Sequence, residues 1–373
     1  MHVGNDERGT PVSFAVGYSL DEARLLLALA TAAYIDEKPL PNETVQAQTA
    51  RMRKDINTAL ESAPTGGWQV AWGPGLSDDR ANMLYVAGNI VTNQYAVAIR
   101  GTDWSFWLDW VEDFASLLPL VPFPFLLAPF PKDVEVAIGT LVGLEIMREL
   151  TGLGPISNTQ PVTLQTFLES ISPSADIFVT GHSLGGCLAS VTAAWLASMF
   201  LGASRLKVYT FAGPSAGNGQ FASYYNTLFT DATTQKSTAY RLYNTLDAIP
   251  NAWASLPTIE TYYQPAPLCP DYVKDIISDA VDHIGKEYTQ VGTAGQGSAI
   301  ALPGTVVPWW SWWDLDPTGT VPFAHQVAVQ HHPATYLSLL DGTTPISAAS
   351  MKLQAMGARV QARRAAAAVA PTR

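Results

Sequence analysis

Gly181-His182-Ser183-Leu184-Gly185 sets one hydroxyl between two glycines, after the apolar run Asp176–Thr180 and before Leu184–Met199, which has helical apolar spacing. The glycines permit a turn too tight for a Cβ, so the stretch reads as a nucleophile elbow that lifts Ser183 above a strand end, at a helix N-terminus. A serine hydroxyl is a weak nucleophile at neutral pH; it needs a base to take its proton and an acid to hold that base's tautomer. Asp247, in RLYNTLDAIPNAW, lies 64 positions after Ser183 on the loop leaving a later strand-like run. That is one further strand–helix–strand unit, which opens both loops on one sheet edge. Asp247 also fits a helix N-cap ahead of AIPNAW.

The base is sought beyond Asp247, among His283, His325, His331 and His332. His331 and His332 stand just before Pro333, as in the first turn of a closing helix, which leaves one of them in a loop after the strand-like HQVAV. His331 is preferred, His332 is the alternative base, and His325 ranks behind both. His283, within the helical DAVDHIGKEY, reads as a surface residue, and His182 is expected to pack the elbow. Oxyanion donors are expected at the Leu184 N–H, directly after the nucleophile, and at Thr102, just past Gly101 and a buried strand.

These groups need a scaffold. Ser19 and Glu22 have capping-box spacing ahead of a buried helix over Leu25–Tyr34, and a second helix is predicted from about Thr44 to Glu61. WQVAW, MLYVAG and QYAVAIRG read as strands, the last apolar without alternation, as in a parallel sheet covered on both faces. Helices are then predicted over about 133–150, 162–170, 184–199 and 220–228, with strands at 176–180, 206–213 and 239–245 between them. The alternation predicts an α/β fold: a central, mostly parallel sheet with helices on both faces.

Two segments break the rhythm. Phe114–Phe130 is uncharged and apolar but holds Pro119, Pro122, Pro124 and Pro129, a density that forbids a regular membrane-crossing helix. Pro303–Pro322 carries Trp309, Trp310, Trp312 and Trp313 among Gly and Pro. The expected organisation is one domain over 1–347, with a lid-like insertion at about 114–131 and a cap-like one at about 265–322, followed by an Ala/Arg-rich tail, 348–373. Trp104, Phe123, Phe125 and Leu126 are the candidate substrate-binding or lid residues.

The chain has 373 residues, 47% hydrophobic and only 14% charged, with a net charge of −11. A low charge fraction with this apolar content excludes a disordered or coiled-coil protein, and without a basic field nucleic acid is not an expected partner. Cys187 and Cys269 allow at most one disulfide, and Cys187, in the helix after Ser183, reads as a buried free thiol. The first residues lack a basic stretch followed by an apolar one, so the expectation is a cytoplasmic protein or a secreted one already trimmed of its signal peptide.

YAVAIRGTDWSFWLDWVEDF, DIFVTGHSLGGCLAS, VYTFAGPSAGNGQFA and RLYNTLDAIPNAW, in this order, resemble the class 3 (fungal-type) lipases of the α/β-hydrolase fold. The likeness covers about Tyr85–Trp253 and the segment around His331–Leu340. It implies hydrolysis of carboxylic esters, typically acylglycerols, without cofactor or metal, and it carries over Ser183, Asp247 and Thr102. The family's closing histidine falls on His331 by one spacing and on His332 by another. Gly213-Pro214-Ser215 departs from the family's Gly-x-Pro-Arg, and the long Asp247–His331 interval implies an inserted cap. A lipid or ester substrate, met at a lipid–water interface, is the expected partner. Alternatives are an esterase for water-soluble esters, a phospholipase A1 of the same fold, or a non-catalytic lipid-binding protein.

Overall fold

Ser19 starts helix α1 (Leu20–Ala32), its side chain accepting the Glu22 N–H. The reciprocal arm expected of a capping box is missing because Glu22 is used elsewhere. Its carboxylate accepts from the Tyr209 hydroxyl at 2.7 Å and pairs with the Lys207 ammonium at 2.5 Å. Lys207 is 1% exposed and lies near the Tyr209 and Tyr240 rings, so the α1 N-terminus is pinned to the sheet by a nearly buried charge pair. Helix α2 (Val45–Leu60) is capped by Thr44.

The computed structural model describes residues 16–35, 38–61, 63–64, 66–101, 118–127, 132–154, 160–284, 287–292, 297–307 and 320–343. Its strands are β1 (Gln69–Leu76), β2 (Met83–Asn89), β3 (Gln94–Ile99), β4 (Leu120–Pro122), β5 (Glu135–Ala137), β6 (Thr151–Gly152), β7 (Val162–Thr163), β8 (Asp176–His182), β9 (Leu206–Phe211), β10 (Gly217–Asn218), β11 (Ala239–Asn244), β12 (Tyr288–Thr289) and β13 (Ala299–Leu302). The main sheet runs β1-β2-β3-β8-β9-β11-β13. The first three strands are antiparallel, and from β3 onward every pairing is parallel. The remaining helices are α3 (Ile138–Glu149), α4 (Leu164–Ser170), α5 (Leu184–Leu196), α6 (Gly219–Leu228), α7 (Asp271–Ile284), α8 (Thr320–His331) and α9 (Pro333–Leu340).

Both faces of the parallel strands are covered, which accounts for the apolar run without alternation in β3. Ile177, Val179, Leu206 and Val208 pack with Leu188 and Val191 of α5 and Leu144 of α3 on one face. Phe178, Tyr209 and Phe211 pack with α1, α2 and α9 on the other. Helix α5 is apolar all round because the protein surrounds it; Leu184–Leu201 is long and apolar enough to cross a membrane, yet 83% of it is buried inside the fold.

The structure adds to or departs from the sequence expectations at four points. Residues 135–137, expected in a helix, form β5, antiparallel to β4; Val134 and Val136 are buried at period two, and α3 begins only at Ile138. HQVAV, expected as a strand, lies in α8. Its short alternation is ambiguous alone, and the pattern that decides is Phe323 and Val327, Gln326 and Gln330, buried at helical i, i+4 spacing. The segment expected as a cap also supplies β13, the edge strand beside β11, too short to stand out in sequence. The helix after Ser183 changes to a π turn from Ala197 to Leu201. Cys187 and Cys269 are both free and buried.

Substituting Glu22→Gln takes the Glu22 carboxylate away from the nearly buried Lys207 ammonium. Removing one partner of such a pair costs about 3–5 kcal/mol where burial is complete, and Glu22 is partly exposed, so about 2–3 kcal/mol is expected from urea unfolding. A Glu22→Gln/Lys207→Met double variant is expected to recover most of the loss.

Candidate active site

Ser183 joins β8 to α5 with φ +61° and ψ −134°, a backbone conformation that non-glycine residues rarely adopt. The turn is this tight because the flanking chain touches backbone. A Cβ on Gly181 would sit 2.1 Å from the Gly185 carbonyl oxygen, and one on Gly185 would sit 2.4 Å from the Ile99 carbonyl oxygen. The Ser183 N–H donates to the Phe211 carbonyl, tying the turn to the end of β9. Strain of this kind persists only where surrounding contacts over-determine it, and it presents Oγ at the C-terminal edge of the parallel strands.

His331 meets Ser183 there. Its Nε2 is 2.8 Å from Ser183 Oγ, and its Nδ1 is 2.8 Å from Asp247 Oδ2. A carboxylate only accepts, so Nδ1 carries the proton and Nε2 is left to accept from the serine hydroxyl. All three residues are buried, Asp247 completely. The imidazole is the last residue of α8, where the helix dipole favours positive charge.

His332 turns its ring away from the serine: Nδ1 accepts the Ala334 N–H and caps α9, with Pro333 in the first turn. The structure therefore brings together Ser183, His331 and Asp247, with His332 outside that chain of bonds. His325 lies earlier on α8.

Asp247 ends the turn after β11, so it faces the same edge as the elbow. Its Oδ1 accepts the Ile249 N–H at 3.0 Å; its Oδ2 accepts from His331 and, at 2.7 Å, from the Tyr336 hydroxyl. The N-cap position of the short helix Ile249–Asn251 that follows is Ala248, so Asp247 bonds the Ile249 N–H from one residue before the cap. Tyr336 is a site residue that sequence reasoning did not find: nothing local in HHPATYLSLL shows that its hydroxyl reaches a carboxylate.

Leu184 opens α5, where helix N–H groups lack intrahelical acceptors, which suits an oxyanion donor. Thr102 and Trp104 lie outside the described residues. Gly101, next to Thr102, is placed: its N–H donates to the Tyr34 hydroxyl at 3.2 Å, and that hydroxyl donates to the His182 carbonyl at 3.0 Å. Phe123 packs into the core with its ring 5.4 Å from that of Phe221 and 5.6 Å from that of Phe125. Phe125 and Leu126 are partly buried against the same cluster.

His182 is fully buried, its ring centroid 4.8 Å from that of His331. Its Nε2–H donates to the His331 carbonyl at 2.9 Å. Burial first, then the neighbouring His331, hold its pKa well below the ordinary 6.5, and burial lowers His325 in the same sense. Below about 6.5 the unfolded chain therefore takes up protons that the native state does not, and stability falls as pH drops through that range. The slope approaches about 1.4 kcal/mol per pH unit for each such imidazole. A His182→Asn variant is expected to flatten this dependence between pH ~6.5 and ~5 in denaturant titrations; an unchanged slope contradicts the assignment.

Residues 96–256 match the family model described as lipase (class 3). Among solved structures the chain is similar to the M37 lipase, at 26% identity and a TM-score of 0.69, covering 87% of this chain and 94% of that one. The lipase from Rhizopus microsporus var. chinensis overlaps at 16% identity and a TM-score of 0.44, covering 68% of this chain and 77% of its own. The mono- and diacylglycerol lipase from Aspergillus oryzae overlaps at 18% identity and 0.43, covering 65% and 76%. Residues 96–256 are a class 3 lipase region, and the chain built around them is a serine ester hydrolase of the α/β-hydrolase fold.

Proposed function

We propose that this protein is a lipase that cleaves acylglycerol esters through an acyl-enzyme on Ser183. The carrying observation is the unbroken, buried hydrogen-bond chain from Ser183 Oγ through His331 to Asp247. Ser183 Oγ attacks the ester carbonyl as His331 Nε2 takes its proton, and the Asp247 carboxylate stabilises the imidazolium that forms. Charge gathering on the carbonyl oxygen is met by the N–H groups of Leu184 and Thr102. The imidazolium then gives its proton to the departing alcohol oxygen as the C–O bond breaks. Water enters, loses a proton to His331 and attacks the acyl carbon; His331 returns the proton to Oγ as the acid leaves.

The acylglycerol class rests on the class 3 region and on the apolar residues proposed as lid and acyl wall, Trp104, Phe123, Phe125 and Leu126. Of these, Phe123 would form a fixed floor, since Phe221 and Phe125 already bracket it. We take 1–347 as the catalytic domain, carrying a lid-like insertion at about 114–131 and a cap-like one at about 265–322 that returns β13 to the main sheet, with the tail 348–373 outside the domain.

Ser183→Ala is expected to lower kcat for a p-nitrophenyl ester by about 10⁴-fold or more and to abolish fluorophosphonate labelling. Retained turnover or labelling would end the proposal. Asp247→Asn, which disturbs the tautomer while keeping the shape, is expected to cost on the order of 10⁴-fold in kcat. For the substrate class, activity on glycerol esters of rising chain length is expected to climb as substrate passes from monomer to emulsion. A flat response, with preference for short soluble esters, favours the esterase alternative.

A further inference from the structure

The base and the acid stand on separate elements, His331 at the end of α8 and Asp247 on the turn after β11. Helix ends fray and turns shift, so something must hold these two in register. Asn244, the last residue of β11, is 1% exposed and touches neither reacting group, yet its bonds run to both sides. Its Nδ2 donates to the Gln330 carbonyl at 2.9 Å and to Gln330 Oε1 at 2.8 Å, which uses both of its protons on the residue preceding His331. Its Oδ1 accepts the Leu246 N–H at 3.0 Å, which shapes the turn into Asp247. Its own backbone N–H donates to the Tyr336 hydroxyl at 3.0 Å, and that hydroxyl donates to Asp247 Oδ2.

We infer that Asn244 is a positioning residue that sets the His331–Asp247 geometry of the reaction. The inference rests on the proposed roles of Ser183, His331 and Asp247. The amide orientation is dictated by its partners: reversing it would put Oδ1 against two acceptor oxygens and Nδ2 against an N–H. Gln330 extends the clamp, its Nε2 donating to the Thr305 carbonyl, while Gln326 exchanges two hydrogen bonds with the backbone of Val307. Both glutamines are fully buried, so α8 is bolted to the segment after β13 by an amide ladder that water does not reach. Gly304 leaves the room this needs, since a Cβ there would lie 2.2 Å from Asn244 Oδ1.

Two variants test the role by independent routes. Asn244→Leu removes the donors and the acceptor at similar volume. Gly304→Ala leaves every polar group in place and displaces the amide sterically. Folded protein is verified by near-UV circular dichroism, and competent sites are counted by fluorophosphonate titration. A displacement of the pair of about 1 Å is expected to lower kcat per competent site by roughly 10–100-fold, with KM little changed. The acid limb of the pH–kcat/KM profile is expected to move to lower pH, because an Asp247 held less firmly against Nδ1 stabilises the imidazolium less. Gln330→Met, which keeps the backbone acceptor and loses Oε1, is expected to give a smaller shift of the same sign.

Wild-type kcat per site in either folded variant, or an unmoved acid limb, overturns the inference. Should Asn244→Leu fail to fold, Gly304→Ala decides alone. Loss of turnover in Ser183→Ala beside unaltered Asn244→Leu defeats only the positioning role, whereas turnover surviving Ser183→Ala defeats both readings.

Discussion

A carboxylate with no contact with water has to be satisfied from within, and much of the site's organisation follows from that demand at Asp247. An isolated ionised group in such a place would cost several kcal/mol even after relaxation. Here the charge is met by an imidazole N–H, a phenol and a backbone N–H, contributed by α8, α9 and its own turn. Each donor is expensive to leave unmade, so the donors are as constrained as the acceptor. This is why two helices that follow the last strand in sequence close back over the edge of β11. The interaction belongs to the packing and the chemistry at once: what makes the buried charge tolerable also fixes which imidazole nitrogen carries the proton.

The hydroxyl that the imidazole faces is held by a different kind of constraint. At the elbow no charge is involved; backbone lies so close to backbone that Gly181 and Gly185 admit no side chain, and Ser183 takes a positive φ between them. The register of the parallel strands carries that point outward. Gly181 pairs with Ile99 on one side and Thr210 on the other, so the ends of β3, β8 and β9 are level, and β11 pairs with β9 in the same sense. Groups leaving these strands converge because parallel strands end at a common edge.

The sequence discloses the parts whose causes are local. A glycine-bracketed serine between a buried strand and an apolar helix can be read directly, because the steric need at Gly181 and Gly185 is a property of a few adjacent residues. Continuous apolarity in QYAVAIRG likewise reports a strand covered twice, as the two core clusters bear out. What escaped reading is set by distant partners. Glu22 has the spacing of a capping box, yet Lys207 and Tyr209 claim its carboxylate. HQVAV has strand-like alternation, but burial of Gln326 and Gln330 on one side of a helix outweighs it. Two adjacent histidines before Pro333 have nearly the same local environment in sequence. What separates them is a half-turn of backbone: one ends α8 facing the sheet edge, and the other caps α9. Tyr336 and Asn244 carry no signature at all, because their roles exist only when β11, α8 and α9 meet.

A second imidazole sits beside the first, and its state bears on the chemistry proposed for the pair. If His182 were charged, its ring 4.8 Å from that of His331 would oppose the imidazolium that ester attack requires. Burial removes that conflict by keeping His182 neutral. Neutrality also settles its tautomer, because the Nε2 that faces the His331 carbonyl must carry the proton. His182 then acts as a fixed donor, joining the elbow's backbone to that of His331. One motif residue thus supplies a rigid link, and the proton transfer proposed above falls to the imidazole that has a carboxylate behind it.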